Sequence, residues 1–332
     1  MLKEYQGFAT LAMLLLVFGL SVLAGRIILP VLRKKKVGQI INEEGPAWHA
    51  GKTGTPTMGG ISFILAFLVG LAAVTVYAFA SGEEFNYIPF ALVIAYGVLN
   101  AAIGFVDDYF KLINKRNLGL TEKQKMLLQL VVSAAFIAMM AITGNLDTAL
   151  RIPFFGVTWE LSWFAYPIYL LVLVGFVNST NLTDGLDGLA SSVCAVVAVF
   201  MTLCALRGGH TEMGLISVAL LGGVLGFLIY NFHPAKMFMG DTGSLFLGAV
   251  IMGCAMMVGE LIVFVLAGLV FVLDMLSSLL QRVYYKLTHG KRIFKMAPVH
   301  HHFEKCGWSE VAIVGLFSGV SVLFCILAWF GI

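Results

Sequence analysis

The stretch IPFALVIAYGVLNAAIGFVDDYFK, residues 88–111, decides the fold. From Ile88 to Val106 it carries no charge; two adjacent aspartates follow, and then a lysine. At 1.5 Å per residue such a run reaches roughly 30 Å, the thickness of a bilayer's hydrocarbon core. It reads as a membrane-spanning helix whose end delivers Asp107 and Asp108 to the membrane surface. The same window repeats along the chain. Candidate spans cover 8–30, 59–80, 88–106, 126–143, 162–178, 186–206, 213–231, 243–259, 261–285 and 309–331. The expectation is an all-α polytopic membrane protein with about ten transmembrane helices. No gap is long enough for a soluble domain, so 1–332 reads as one transmembrane domain.

Composition agrees. The chain is 60% hydrophobic and only 12% charged, against roughly 25% charged in soluble domains. The first apolar run, Phe8 to Leu29, is too long for a secretory signal and reads as a retained span. The five cysteines, Cys194, Cys204, Cys254, Cys306 and Cys325, are odd in number and form no CxxC pair. That argues against a disulfide framework or a thiolate metal site.

Lysine and arginine set the orientation. Eighteen of the 21 fall in or beside the loops 31–58, 107–125, 231–244 and 286–308; only Lys3, Arg151 and Arg207 lie on the other side. The basic side is expected to be cytoplasmic, with both termini outside. The same side collects the unusual polar residues. Asp107-Asp108, then Asn178, Asn181, Asp184 and Asp187, then Asn231, His233 and Asp241, and finally His300-His301-His302 all lie there.

Each group has a bland reading beside a chemical one. Two carboxylates at a helix C-terminus oppose the macrodipole and border hydrocarbon. They pair with Lys111 and Lys115, or they hold a divalent cation and phosphate. In NSTNLTDGLDGLA, 178–190, the acids are three residues apart, which on a helix puts them on one face. One could be an N-cap, but two acids with two asparagines suit ribose hydroxyls, a uracil edge or a metal's waters. In FMGDTGS, 238–244, a glycine turn opens a helix whose N–H groups favour an anion. Asp241 there is a cap or a Mg²⁺ ligand, and Phe238 offers a face to a base. Three adjacent histidines in MAPVHHHFEK, 296–305, lack common zinc-ligand spacing and suit a diphosphate or a carboxylated substrate. GKTGTPTMGG, 51–60, lacks the P-loop spacing. Asp274, mid-span, should face the bundle interior, with Gln281 two turns on. Acids beside lysines and histidines suit a divalent metal together with several phosphates, which is the requirement of phosphoryl transfer.

Five segments carry a family resemblance: TPTMGG at 55–60, FVDDY at 105–109, NLTDGLDGLA at 181–190, MGDTGS at 239–244 and APVHHHFE at 297–304. Nearly the whole chain resembles the polyprenyl-phosphate N-acetylhexosamine-1-phosphate transferase superfamily. TPTMGG and HHHFE are similar to its phospho-N-acetylmuramoyl-pentapeptide transferase (translocase I) branch. The resemblance implies Mg²⁺-dependent transfer of phospho-N-acetylmuramoyl-pentapeptide from UDP to undecaprenyl phosphate at the bacterial inner membrane, with release of UMP. It implies catalytic roles for Asp107, Asp108, Asp241 and His301, with Asp241 as metal ligand. It implies substrate contacts from Lys52, Thr55, Lys111, Lys115, Lys123, Asn178, Asn181, Asp184, Asp187, Asn231, Phe238, Gln281, His300 and His302. A homodimer is implied, and no nucleic acid. A sister enzyme using UDP-N-acetylglucosamine is the alternative. An ion-coupled transporter would need polar residues leading to both faces.

Overall fold

A computed structural model describes residues 6–34, 52, 54–114 and 119–332. Lys3, Lys35, Lys36, Lys115 and Arg116, which entered the reading above, lie outside the described residues.

The helices follow the apolar runs, because a lipid-exposed backbone must satisfy its own N–H and C=O groups. They are α1 (Gln6–Lys34), α2 (Gly60–Ser81), α3 (Tyr87–Asn114), α4 (Glu122–Ile142), α5 (Ala165–Thr183), α6 (Leu189–Arg207), α7 (Thr211–Asn231), α8 (Gly240–Val258), α9 (Leu261–Ala267), α10 (Leu269–Leu287), α11 (Val299–Lys305) and α12 (Glu310–Trp329). Helix makes up 77% of the described residues. The only sheet among the described residues is an antiparallel hairpin, β1 (Ala149–Ile152) and β2 (Val157–Glu160), with Leu150 opposite Trp159. The chain is thus an all-α polytopic membrane protein, as the sequence leads one to expect.

Three features depart from the sequence reading. The run 261–285 is not one straight span: α9 and α10 meet at Gly268 with a bend of 75°. Nine helices among the described residues are long and apolar enough to cross a membrane, or ten spans if the bent pair is one. The hairpin had no apolar run to announce it. It is fastened by an ion pair from Arg151 on β1 to Glu260, which follows the left-handed Gly259 at the α8–α9 corner. The loop 286–308 contains the short helix α11, so the three histidines are helical.

Helix α8 is the centre. From Thr242 to Met256 every side chain is buried, against α3, α5, α2, α7, α6 and α9. Helix α7 packs on α1 and α6, and α12 on α6 and α9. Around this core α1 and α12 turn leucines such as Leu15 and Leu323 outward, as lipid-facing helices do. The α3–α8 contact is the most extensive. A side chain at Gly104 would collide with the Asp241 carbonyl. The missing Cβ lets the two backbones approach, as small residues do between membrane helices. That approach sets Asp107 and Asp108 beside Asp241.

Candidate active site

Helix α3 does not end at Val106; it continues to Asn114. Asp107 and Asp108 are therefore helical and buried, with Lys111 one turn on. Asp108 receives N–H bonds from Thr242 (3.0 Å) and Asp241 (3.2 Å) and the Thr242 hydroxyl (2.7 Å). It caps α8 from another helix, satisfying donors that a helix start leaves open. Asp107 pairs with Lys111 Nζ at 2.6 Å and accepts the Leu120 N–H at 2.8 Å. Asp241 Oδ2 lies 3.0 Å from Lys111 Nζ and 2.7 Å from Lys125 Nζ, and its Oδ1 accepts from Asn181 Nδ2 at 2.9 Å. Lys125 also donates to Asn181 at 3.1 Å.

One carboxylate oxygen each from Asp107, Asp108 and Asp241 falls within a 4.8 Å group. Three oxygen donors at that spacing fit a hard divalent cation. The two ammonium groups beside them supply compensation for further anions. The turn into α8 is tight: Gly240 has φ +74°, and a Cβ there would press on Asp108 and Thr57.

Asp184 and Asp187 do not share a helix face. Helix α5 runs to Thr183, Asp184 caps it, and α6 begins only at Leu189 after the left-handed Gly188. The span predicted from 186 starts too early, because the sequence cannot show that the glycines break the chain there. Asp184 turns to the acid cluster. Its carboxyl is held well above the usual carboxylate range by burial first and then by Asp241, Asp108 and Asp187, with the Gly240 N–H opposing. Asp187 turns the other way. It binds Lys52 (2.8 Å), His233 (3.0 Å) and the Ala235 N–H (2.9 Å). Lys52 also reaches Glu310 at 2.6 Å. Asp187, His233 and Glu310 form a second group with oxygen and nitrogen donors within 4.8 Å.

Several residues expected to bind substrate are occupied by protein partners. Asn178 donates to Gln129 (2.7 Å) and to the Val174 carbonyl (2.8 Å). Asn231 is buried between Ser191 and the Met237 carbonyl. Gln281 binds the backbone of Ile293 and Phe294 with both ends of its amide. Asn178 ties α5 to α4, whereas Asn231 and Gln281 brace loops. Half-buried Phe238 is pinned by its backbone to Pro56 and Gly59, which places TPTMGG against the α8 turn. Thr55 closes a turn onto the Lys52 carbonyl at 3.1 Å. His302 accepts the Lys295 N–H, His301 pairs with Glu304 and His300 with Asp274. The three histidines point three ways. Lys123 is exposed, and it is Lys125 that reaches the acids. Lys115 lies outside the described residues.

Lys125, Thr242 and Glu310 were not singled out from the sequence. Their signals were present but local. Thr121 and Gln124 form a capping box that starts α4 one turn before Lys125, and Ser309 caps α12 just before Glu310.

Comparison with known proteins supplies the family. Glycosyl transferase family 4 matches residues 90–259, the part containing both acid-bearing helices. A phospho-N-acetylmuramoyl-pentapeptide-transferase of Halalkalibacterium halodurans is 43% identical over 315 residues, 95% of each chain. The protein of that name from Bacillus subtilis is 43% identical over 314 residues, again 95% of each. That from Clostridium botulinum strain Alaska E43 is 41% identical over 328 residues, 99% of this chain and 98% of the relative. Full-length similarity at this level, on a membrane bundle that gathers its acids and lysines at one end, identifies the chain as a phosphoglycosyl transferase belonging to glycosyl transferase family 4 and, within it, to the phospho-N-acetylmuramoyl-pentapeptide-transferase family.

Proposed function

We propose that the protein transfers phospho-N-acetylmuramoyl-pentapeptide from UDP to undecaprenyl phosphate at the cytoplasmic face of the bacterial plasma membrane, releasing UMP, with Mg²⁺ as cofactor and as a homodimer. The observation that carries this reading is the meeting of Asp107, Asp108 and Asp241 with Lys111 and Lys125 at one end of the bundle. The relatives' names supply the sugar-peptide, and the basic loops on the site's side supply the orientation.

Asp107, Asp108 and Asp241 would hold the Mg²⁺, which when bound neutralises charge on phosphate oxygens. Lys111 and Lys125 neutralise the remaining anions and hold the two phosphate groups together. A phosphate monoester has a second pKa of about 6, so the lipid phosphate is largely a dianion at neutral pH. Its oxygen attacks the β-phosphorus, a new P–O bond forms, and the bond from the β-phosphorus to the bridging oxygen of UMP breaks. Asp107 orients the attacking phosphate and takes its residual proton, because it meets only one lysine and one N–H, whereas Asp108 accepts three bonds from the start of α8. Asn181, Asp184 and Phe238 line the nucleotide side.

The test is purified protein in detergent with UDP-N-acetylmuramoyl-pentapeptide, a polyprenyl phosphate and Mg²⁺. UMP and lipid product should form one to one, and chelation should stop the reaction. A chirally labelled β-phosphate should show inversion; retention would replace the one-step displacement with two. Equal turnover of UDP-N-acetylglucosamine would favour the sister reading.

A further inference from the structure

Two buried carboxylates take no part in the acid cluster. Asp274 on α10 is fully enclosed, and Glu304 on α11 nearly so. Asp274 Oδ2 lies 2.7 Å from His300 Nδ1, and its Oδ1 accepts the His300 backbone N–H at 3.4 Å. Glu304 Oε2 lies 2.6 Å from His301 Nδ1. The two imidazole centroids are 4.2 Å apart. Helix α11 is further fixed to α10 by a bond from the Val299 N–H to Ser277 Oγ (2.8 Å). The result is a pair of side-by-side carboxylate–imidazole dyads on a rigid base.

An ionised carboxylate can only accept a hydrogen bond. Each dyad therefore keeps the proton on Nδ1 and turns the Nε2 edge away from its acid, as carboxylate partners do for metal-bound and catalytic histidines. For His300 that edge has a definite address. Nε2 is buried without a hydrogen-bond partner among the described residues. It points at Gly185, where a side chain would collide with it. Gly185 follows Asp184, whose carboxyl feels Asp241 and Asp108. An orphaned buried polar atom is costly and calls for a use. Here it sits against the turn that links the histidines to the phosphate-handling acids.

We propose that Asp274 and Glu304 are positioning residues that hold His300 and His301 as Nδ1–H tautomers, so that His300 Nε2 is presented at the 184–188 turn as the acceptor for a hydroxyl or amide N–H of the nucleotide-sugar substrate. The proposal rests on the transferase reading for the identity of that substrate. Its first half, the tautomer, does not need turnover to be measured.

The experiment uses the full chain in detergent with ¹⁵N-labelled histidine, the His300 signals being assigned with His300→Gln. The wild type should show a pyrrole-type Nδ1 and a pyridine-type Nε2 at His300. An amide can donate as well as accept, so Asp274→Asn should abolish the single tautomer. The same variant should raise KM for the UDP-linked substrate about tenfold, the scale of one lost hydrogen bond in a buried site. KM for the polyprenyl phosphate should stay unchanged, and Asp274→Glu should recover most of the loss. Should Asp274→Asn fail to fold, Glu304→Gln reports the same loss of tautomer at His301. Unaltered ¹⁵N signals in either amide variant would overturn the proposal, as would an equal rise of KM for both substrates. Correct tautomers in a protein that transfers nothing would sink the transferase reading and leave the dyads standing.

Discussion

Asp107 and Asp108 are neighbours in the chain with different duties. Asp108 spends both oxygens on the first amides of α8, whereas Asp107 meets one lysine and one N–H. Asp108→Asn should therefore destabilise the fold by about 1–3 kcal/mol, the cost of spoiling buried bonds to a charged group. Asp107→Asn should lower kcat about a hundredfold or more while melting close to wild type. Thermal unfolding and kcat measured on both variants check the division, and identical behaviour would refute it. Asp184 makes a prediction about pH. Its folded-state pKa is raised by burial and three acids. Below the ordinary carboxylate range, about 4, folded and unfolded chains both carry the proton and its contribution is intact. As pH rises from there, the unfolded chain releases the proton and the folded chain keeps it, so stability falls until pH passes the raised value. Asp184→Asn should flatten that decline in the ligand-free protein and raise its melting temperature near neutral pH; an unchanged slope would reject this account. The sequence exposed the acids themselves and, in Lys111, one of their partners, but not Lys125 or Thr242. Lys123 and Lys125 differ only in helix phase, and the phase is fixed by where the Thr121 capping box starts α4. Asp184 and Asp187 look like a helical pair until Gly188 takes a left-handed conformation and ends the possibility.

At the scale of elements, apolar runs made the spans legible, because hydrocarbon selects for composition. Direction is another matter. Nothing in the uniformly apolar run 261–273 marks the 75° bend at Gly268, and the hairpin at 149–160 is too short and too mixed to register. The junction of α3 and α8 was hidden as well, since Gly104 reads as one more small residue in a span. Yet it controls the site, because a side chain there meets the Asp241 carbonyl. Gly104→Val should cost about 1–3 kcal/mol by overpacking and should push Asp107 and Asp108 off Asp241. Gly104→Ala should lie between wild type and valine in both melting temperature and turnover. A Gly104→Val enzyme with normal kcat would show that the two helices need not touch so closely.

At the scale of the molecule, charge bias yields an orientation that labelling can measure. It predicts that the acid cluster and the basic loops share the cytoplasmic side. Cysteines placed at Gly82 and Gly209 should react with an impermeant reagent in sealed cells. Those placed at Lys115 and Gly290 should react only after permeabilisation, as should native Cys306, which is exposed beyond α11. Labelling of position 115 in sealed cells would invert the orientation. The enclosure of α8 carries this further. Its side chains touch protein from Thr242 to Met256, so acyl chains meet α1, α4 and α12 but not the segment that bears Asp241. A thicker or thinner bilayer is accommodated by tilt and adjustment of lipid-facing helices, while a close-packed interior resists deformation. The outer helices thus serve as a mechanical buffer. The spacing of Asp241 from the acids of α3 is set by contacts within the protein, and the membrane can change its composition around an enzyme whose acid cluster keeps its dimensions.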